Sequence, residues 1–91
     1  MRQDAAQQVA IAAISHIASD EETILAFLQQ AGLSPDMLRE RISDPAFLGG
    51  ILDFILGDDA IATAFCTAEG LTGEDLMRAR QALPGAARDY V

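Results

Sequence analysis

Residues 44–56 read Asp-Pro-Ala-Phe-Leu-Gly-Gly-Ile-Leu-Asp-Phe-Ile-Leu. Aspartate before proline is a helix start. The carboxylate caps the free N–H groups, and proline is pre-set for the first helical position, where no N–H is needed. Beyond it, Phe47, Leu48, Ile51, Leu52, Phe54, Ile55 and Leu56 cover more than half the circumference of a helix that Gly57 stops. Gly49, Gly50 and Asp53 take the remainder. A helix apolar over so wide an arc is either the centre of a small core or shared with a partner. Its two glycines cost about 1 kcal/mol each relative to alanine. Close approach of a neighbouring helix backbone is the expected offset.

Outward from this segment, proline and glycine cut the chain at helical lengths, and no stretch alternates as a strand would. A first helix is expected over Gln3–Ala18, with Val9, Ala10, Ala13, Ile14 and Ile17 as its stripe. Ser19 reads as the cap of a second helix, with Glu22 completing a capping box. That helix buries Ile24, Leu25, Phe27 and Leu28 by pattern and ends at Gly32, where a left-handed residue belongs. Ser34-Pro35-Asp36 opens a short third helix that Asp44-Pro45 ends. A fifth runs from about Asp58 to Glu69 and closes at Gly70. Thr72-Gly73-Glu74-Asp75 opens a sixth, ending near Leu83. Residues 84–91 read as a tail tethered by Tyr90. The fold class is therefore all-α: a compact bundle of five or six short helices within a single domain, residues 1–83. Helix should occupy about two-thirds or more of the chain, well above the usual third.

Offset by 38 residues, the chain matches itself. Ile17 falls on Ile55, Asp20 on Asp58, Phe27 on Phe65, Gly32 on Gly70, Leu33 on Leu71 and Leu38 on Leu76. This reads as two three-helix units, residues 5–43 and 44–83. The alternative is that helix–Gly–Leu–cap–helix junctions look alike because capping chemistry is stereotyped. Units of about 40 residues rarely hold a core alone, so both halves should share one.

The counts close several functional classes. The 91 residues carry 14 acids against six arginines and no lysine, a net charge of −8. That balance disfavours nucleic acid and anionic membrane surfaces as partners, since both demand positive charge. One cysteine, Cys66, and one histidine, His16, leave no intramolecular disulfide and no Cys/His metal set. No apolar run approaches the roughly 18 residues of a membrane span, and no signal peptide is evident. The expected location is the cytoplasm, and no cofactor or metal is expected. His16 lies at the edge of the first helix's stripe, a place for a partly buried structural residue. Cys66 follows Phe65 on an apolar face and has nothing basic nearby to activate it. The acids Asp20-Glu21-Glu22 and Asp58-Asp59 sit at helix starts, where capping and the helix dipole account for them.

The runs Leu33-Ser34-Pro35-Asp36-Met37-Leu38-Arg39, Asp44-Pro45-Ala46-Phe47-Leu48 and Leu52-Asp53-Phe54-Ile55-Leu56 resemble a family of small bacterial proteins. Phe65, Glu69-Gly70-Leu71 and the stretch from Ala79 to Gly85 fit it too. That family, DUF3572, is a domain of unknown function. The resemblance implies a cytosolic all-helical protein with no assigned activity, and it carries over no catalytic residues.

The expected function is a non-enzymatic interaction module, docking a protein partner or a second copy through Phe47, Ile51 and Phe54. Either the other helices enclose these residues as core, or some stay exposed and mark the surface. The alternative is a helix-turn-helix reader of DNA, using the third helix, Ser34 to Ser43, with Arg39 and Arg41. Asp36, Glu40 and Asp44 beside those arginines make a weak basic patch.

Overall fold

Capping chemistry sets most helix boundaries in the computed structural model, which describes residues 1–84. The helices are α1 (Gln3–Ala18), α2 (Glu21–Ala31), α3 (Pro35–Arg41), α4 (Pro45–Leu56), α5 (Asp59–Glu69) and α6 (Gly73–Gln81). They hold 79% of the described residues, and none of these is in a strand. Pro84 is the one described residue of the expected tail; residues 85–91, Tyr90 included, lie outside the described part.

Asp44 and Asp58 cap α4 and α5, each carboxylate accepting from backbone N–H groups of the first turn at 3.0–3.2 Å. Thr72 and Asp75 form a reciprocal capping box at 3.0 Å in both directions. Ser34 caps α3 through the Met37 N–H. Gly32 and Gly70 close α2 and α5 at φ 70° and 69°, a left-handed turn that costs glycine nothing. One cap is a residue later than its sequence suggests. Ser19 still belongs to α1: its N–H reaches the Ser15 and His16 carbonyls, and its hydroxyl donates to His16 O at 2.6 Å. Asp20 has the extended backbone a cap requires, and it accepts from the Glu22 N–H and the Thr23 hydroxyl.

Packing is organised on the α1–α4 pair. α1 offers Ala6, Ala10, Ala13 and Ile17, all fully buried, and α4 answers with Leu48, Ile51, Leu52 and Ile55. Three alanines in one stripe let the two helices lie close. α6 packs against both, inserting Leu76 and Ala79, and Leu83 just past its end is buried too, while α2 leans on α1 and α5 on α4. One buried cluster thus draws on both halves of the chain. The sequence pattern misplaces one residue of α2: Leu25 points to solvent at 51% exposure, while Phe27 and Leu28 carry the burial.

The 38-residue offset maps the bounds of α2 onto those of α5, and the two left-handed glycines onto each other. Packing departs from that correspondence at α3. It is the counterpart of α6, yet it buries no residue and makes no extensive contact with another helix. Arg41 stands where α6 has the buried Ala79, and α4 presents Phe47 and Phe54 where α1 presents Val9 and His16. These larger side chains are where the two halves differ, and of α3 only Leu38 is partly buried against the core.

Candidate interaction surface

Because α3 stands away from α4, an open groove of about 390 Å³ runs between α2, α3 and α4. Phe27, Leu33, Phe47, Phe54 and the bare backbone of Gly50 form its apolar lining, and Arg41 and Asp53 supply its charged side chains. Phe47 and Phe54 are half-buried. Both meet Phe27 edge-on, with ring centroids 6.2 and 5.1 Å away. Such T-shaped pairs add about 0.5–1.5 kcal/mol each beyond area burial. The aromatic wall is therefore already set before anything binds. Of the three residues expected at a docking surface, Phe47 and Phe54 stay partly exposed at the groove and Ile51 does not. It points into the α1 interface with no exposed area and belongs to the core. One helix turn cannot face both ways, and the α1 side takes positions 48, 51, 52 and 55.

The two glycines of α4 have different surroundings. A Cβ on Gly49 would lie 2.8 Å from Arg80 Nη1 and 3.0 Å from the Pro84 carbonyl. A Cβ on Gly50 would meet nothing within 4 Å. The close approach expected at this pair is therefore real at Gly49 only. It comes from a guanidinium and the chain beyond α6, not from a helix backbone.

That guanidinium is the buried charge of the described residues. Arg80, 9% exposed, is gripped by Asp53 in a bidentate pair, Nε to Oδ1 at 2.5 Å and Nη2 to Oδ2 at 2.9 Å. Nη1 donates to the carbonyls of Leu83 and Pro84 at 3.5 and 3.3 Å. A planar fork matched to a carboxylate is the geometry in which a buried arginine is best satisfied. Read along the chain, Asp53 looks like an interruption of an apolar run and Arg80 like a charge at the negative end of a helix. The signal that identifies Arg80 is its spacing: it falls four residues after Leu76 and three before Leu83, on the buried stripe.

The remaining candidates have local explanations. His16 is half-buried with its ring edge-on to Phe65, centroids 5.5 Å apart. Cys66 is buried and its Sγ faces the Thr72 carbonyl at 3.7 Å. Burial, and secondarily the Asp75 charge, push its thiol above the ordinary value, the opposite of activation. Of the arginines proposed for DNA, Arg39 is exposed and lies 3.6 Å from Asp36 on its own helix, and Arg41 faces the groove. The two are not brought together into a basic face. No helix among the described residues is long and apolar enough to cross a membrane.

No curated protein and no solved structure gives a significant match to the chain. One family pattern does, over residues 3–86, nearly the whole length and all six helices. The chain belongs to that family, described as protein of unknown function (DUF3572).

Proposed function

We propose that this protein is a non-enzymatic interaction module of the cytoplasm, and that it docks another protein in the groove between α2, α3 and α4. The observation that carries the reading is the combination at Phe47, Gly50 and Phe54. Two aromatic rings are locked by Phe27, and between them lies a glycine whose side-chain position is empty space. A mid-helix glycine facing nothing sacrifices about 1 kcal/mol of helix propensity. Contact with a partner's surface offsets that loss. Pre-set apolar pockets flanked by a few charges are the usual form of such surfaces.

Duplex reading through α3 draws no comparable support. A recognition helix needs a firm seat on its own domain, and α3 buries no residue fully and makes no extensive contact with another helix. The test of the docking reading is a photo-reactive residue placed at Ala46, in the groove, and at Ala68, on the exposed side of α5. A protein cross-linked from Ala46 alone is then purified and titrated against the full chain. Binding that Gly50→Leu abolishes supports the reading. Identical cross-linked sets from both positions, or reconstituted binding indifferent to Gly50→Leu, defeats it.

A further inference from the structure

We infer that the groove is closed by the chain's own residues 85–91, with Tyr90 seated between Phe47 and Phe54, and that a partner gains the groove by displacing them. The displacement half of the inference rests on the groove being the docking site proposed above. The starting point of this segment is fixed beside the groove. The Pro84 carbonyl accepts from Arg80 Nη1 at 3.3 Å, and the same guanidinium is held by Asp53, which lines the groove. The Pro84 oxygen also lies 3.0 Å from where a Cβ on Gly49 would stand. Gly50, the empty position of the groove floor, is the next residue, so its Cα is within about 8 Å of that oxygen.

Residues 85–91 read Gly-Ala-Ala-Arg-Asp-Tyr-Val. Tyr90 stands six residues beyond Pro84, a reach of up to about 20 Å. Phe47 and Phe54 are seven residues apart on α4, about 10.5 Å along its axis. The whole groove is therefore within range of the ring. A tether this short holds Tyr90 at an effective concentration on the order of millimolar. A contact too weak to join two separate molecules is enough to keep the groove filled from within.

The chemistry of the segment matches the lining. Tyr90 is its one large apolar side chain, and the groove offers two phenylalanine rings with the space that Gly50 leaves open between them. A ring entering there meets Phe47 and Phe54 and keeps its hydroxyl at the open rim, in water. Arg41 supplies the charge. It lines the groove, and no carboxylate of a described residue pairs with it. Asp53, the other charge of the lining, is already taken by Arg80. The charge on offer is thus positive, and the residue that adjoins Tyr90 is Asp89. An acid beside an aromatic anchor is the pairing this groove selects.

Tyr90 is the chain's single tyrosine and there is no tryptophan, so tyrosine fluorescence of the full chain reports on this residue alone. In the wild type, Tyr90 should be protected from acrylamide quenching relative to the urea-unfolded chain. Gly50→Leu fills the floor position; it should melt no lower than the wild type, yet lose that protection entirely. Arg41→Asp and Asp89→Arg should each lose most of it, and the two together should restore it. A partner captured by the cross-linker at Ala46 should bind Tyr90→Ala more tightly than the wild type. Wild-type quenching equal to that in urea, protection indifferent to Gly50→Leu, or charge reversals that do not compensate overturns the closure. So does protection that vanishes on dilution together with a sedimenting dimer, because the segment would then come from a second copy. A partner that binds Tyr90→Ala no more tightly overturns the displacement. If Tyr90 is unprotected while a cross-linked partner still depends on Gly50, the closure falls and the docking reading stands. If Tyr90 is protected and no protein depends on Gly50, the docking reading falls, the displacement with it, and the closure stands.

Discussion

Gly49 and Gly50 share a helix and a propensity cost, and their surroundings assign them opposite roles. Alanine at either gains about 1 kcal/mol of helix propensity. At Gly50 that gain should appear as a higher melting temperature, since the methyl enters open space. At Gly49 the methyl would press on Arg80 Nη1 and on a backbone carbonyl. Arg80 is not free to swing aside, because Asp53 holds it by two bonds. Overpacking of this kind costs about 1–3 kcal/mol, so Gly49→Ala should be net destabilising. Thermal melts of the two variants check both signs. A second pair divides α4 between core and surface. Ile51→Ala removes a fully buried side chain and should cost about 2–5 kcal/mol. Phe54→Ala removes a half-buried ring and its edge contact with Phe27, and should cost less, about 1–3 kcal/mol. Urea denaturation of these variants measures the split, and a Phe54→Ala loss as large as that of Ile51→Ala would return Phe54 to the core.

Among the elements, the helix ends make the sharpest predictions. Gly32 and Gly70 are left-handed, and an added Cβ would touch nothing at either. The cost of alanine there is conformational alone, about 1 kcal/mol and nearly equal at the two positions. Chemical denaturation of Gly32→Ala and Gly70→Ala tests that equality. The α6 capping box adds a pH signature. The Thr72 backbone N–H, then its hydroxyl, hold the Asp75 carboxyl below the ordinary range. A carboxylate with a depressed folded-state pKa contributes stability above the unfolded value, about 3.9, and loses it as pH falls through the folded value. Asp75→Asn should therefore be less stable than wild type at pH 7. The gap between their urea midpoints should narrow as pH drops below about 4.

At the scale of the whole molecule, two halves of similar local design meet around one α1–α4 spine and then diverge. α6 settles onto both spine helices, with Leu76 and Ala79 buried. α3, between the Gly32 turn and Asp44-Pro45, buries no residue and carries Arg41 at the position equivalent to the buried Ala79 of α6. The groove is the outcome of that asymmetry. The latch of Arg80 on Asp53 and on the Leu83 and Pro84 carbonyls lies on the neighbouring face of α4, and it fixes where the chain leaves α6.

Much of this architecture is written locally. Asp44-Pro45, Ser34-Pro35, Gly32, Gly70 and Thr72 with Asp75 determine where helices begin and end, because capping involves groups only two to five residues apart. The apolar spacing within each segment determines the all-helical class and most of the core. The failures are instructive in the same terms. Ser19 and Asp20 are both competent caps, and the choice depends on one residue's backbone angle. Leu25 and Ile51 lie within apolar runs too wide for the pattern to say which side faces which neighbour. Of the groove wall, Phe47 and Phe54 are legible in the sequence as members of the wide apolar arc. Only the tertiary structure could separate them from Ile51, give Gly49 and Gly50 different reasons to exist, and bring Asp53 to Arg80 across 27 residues. Those are properties of how helices meet, and helices far apart in sequence meet through side chains that no local pattern relates.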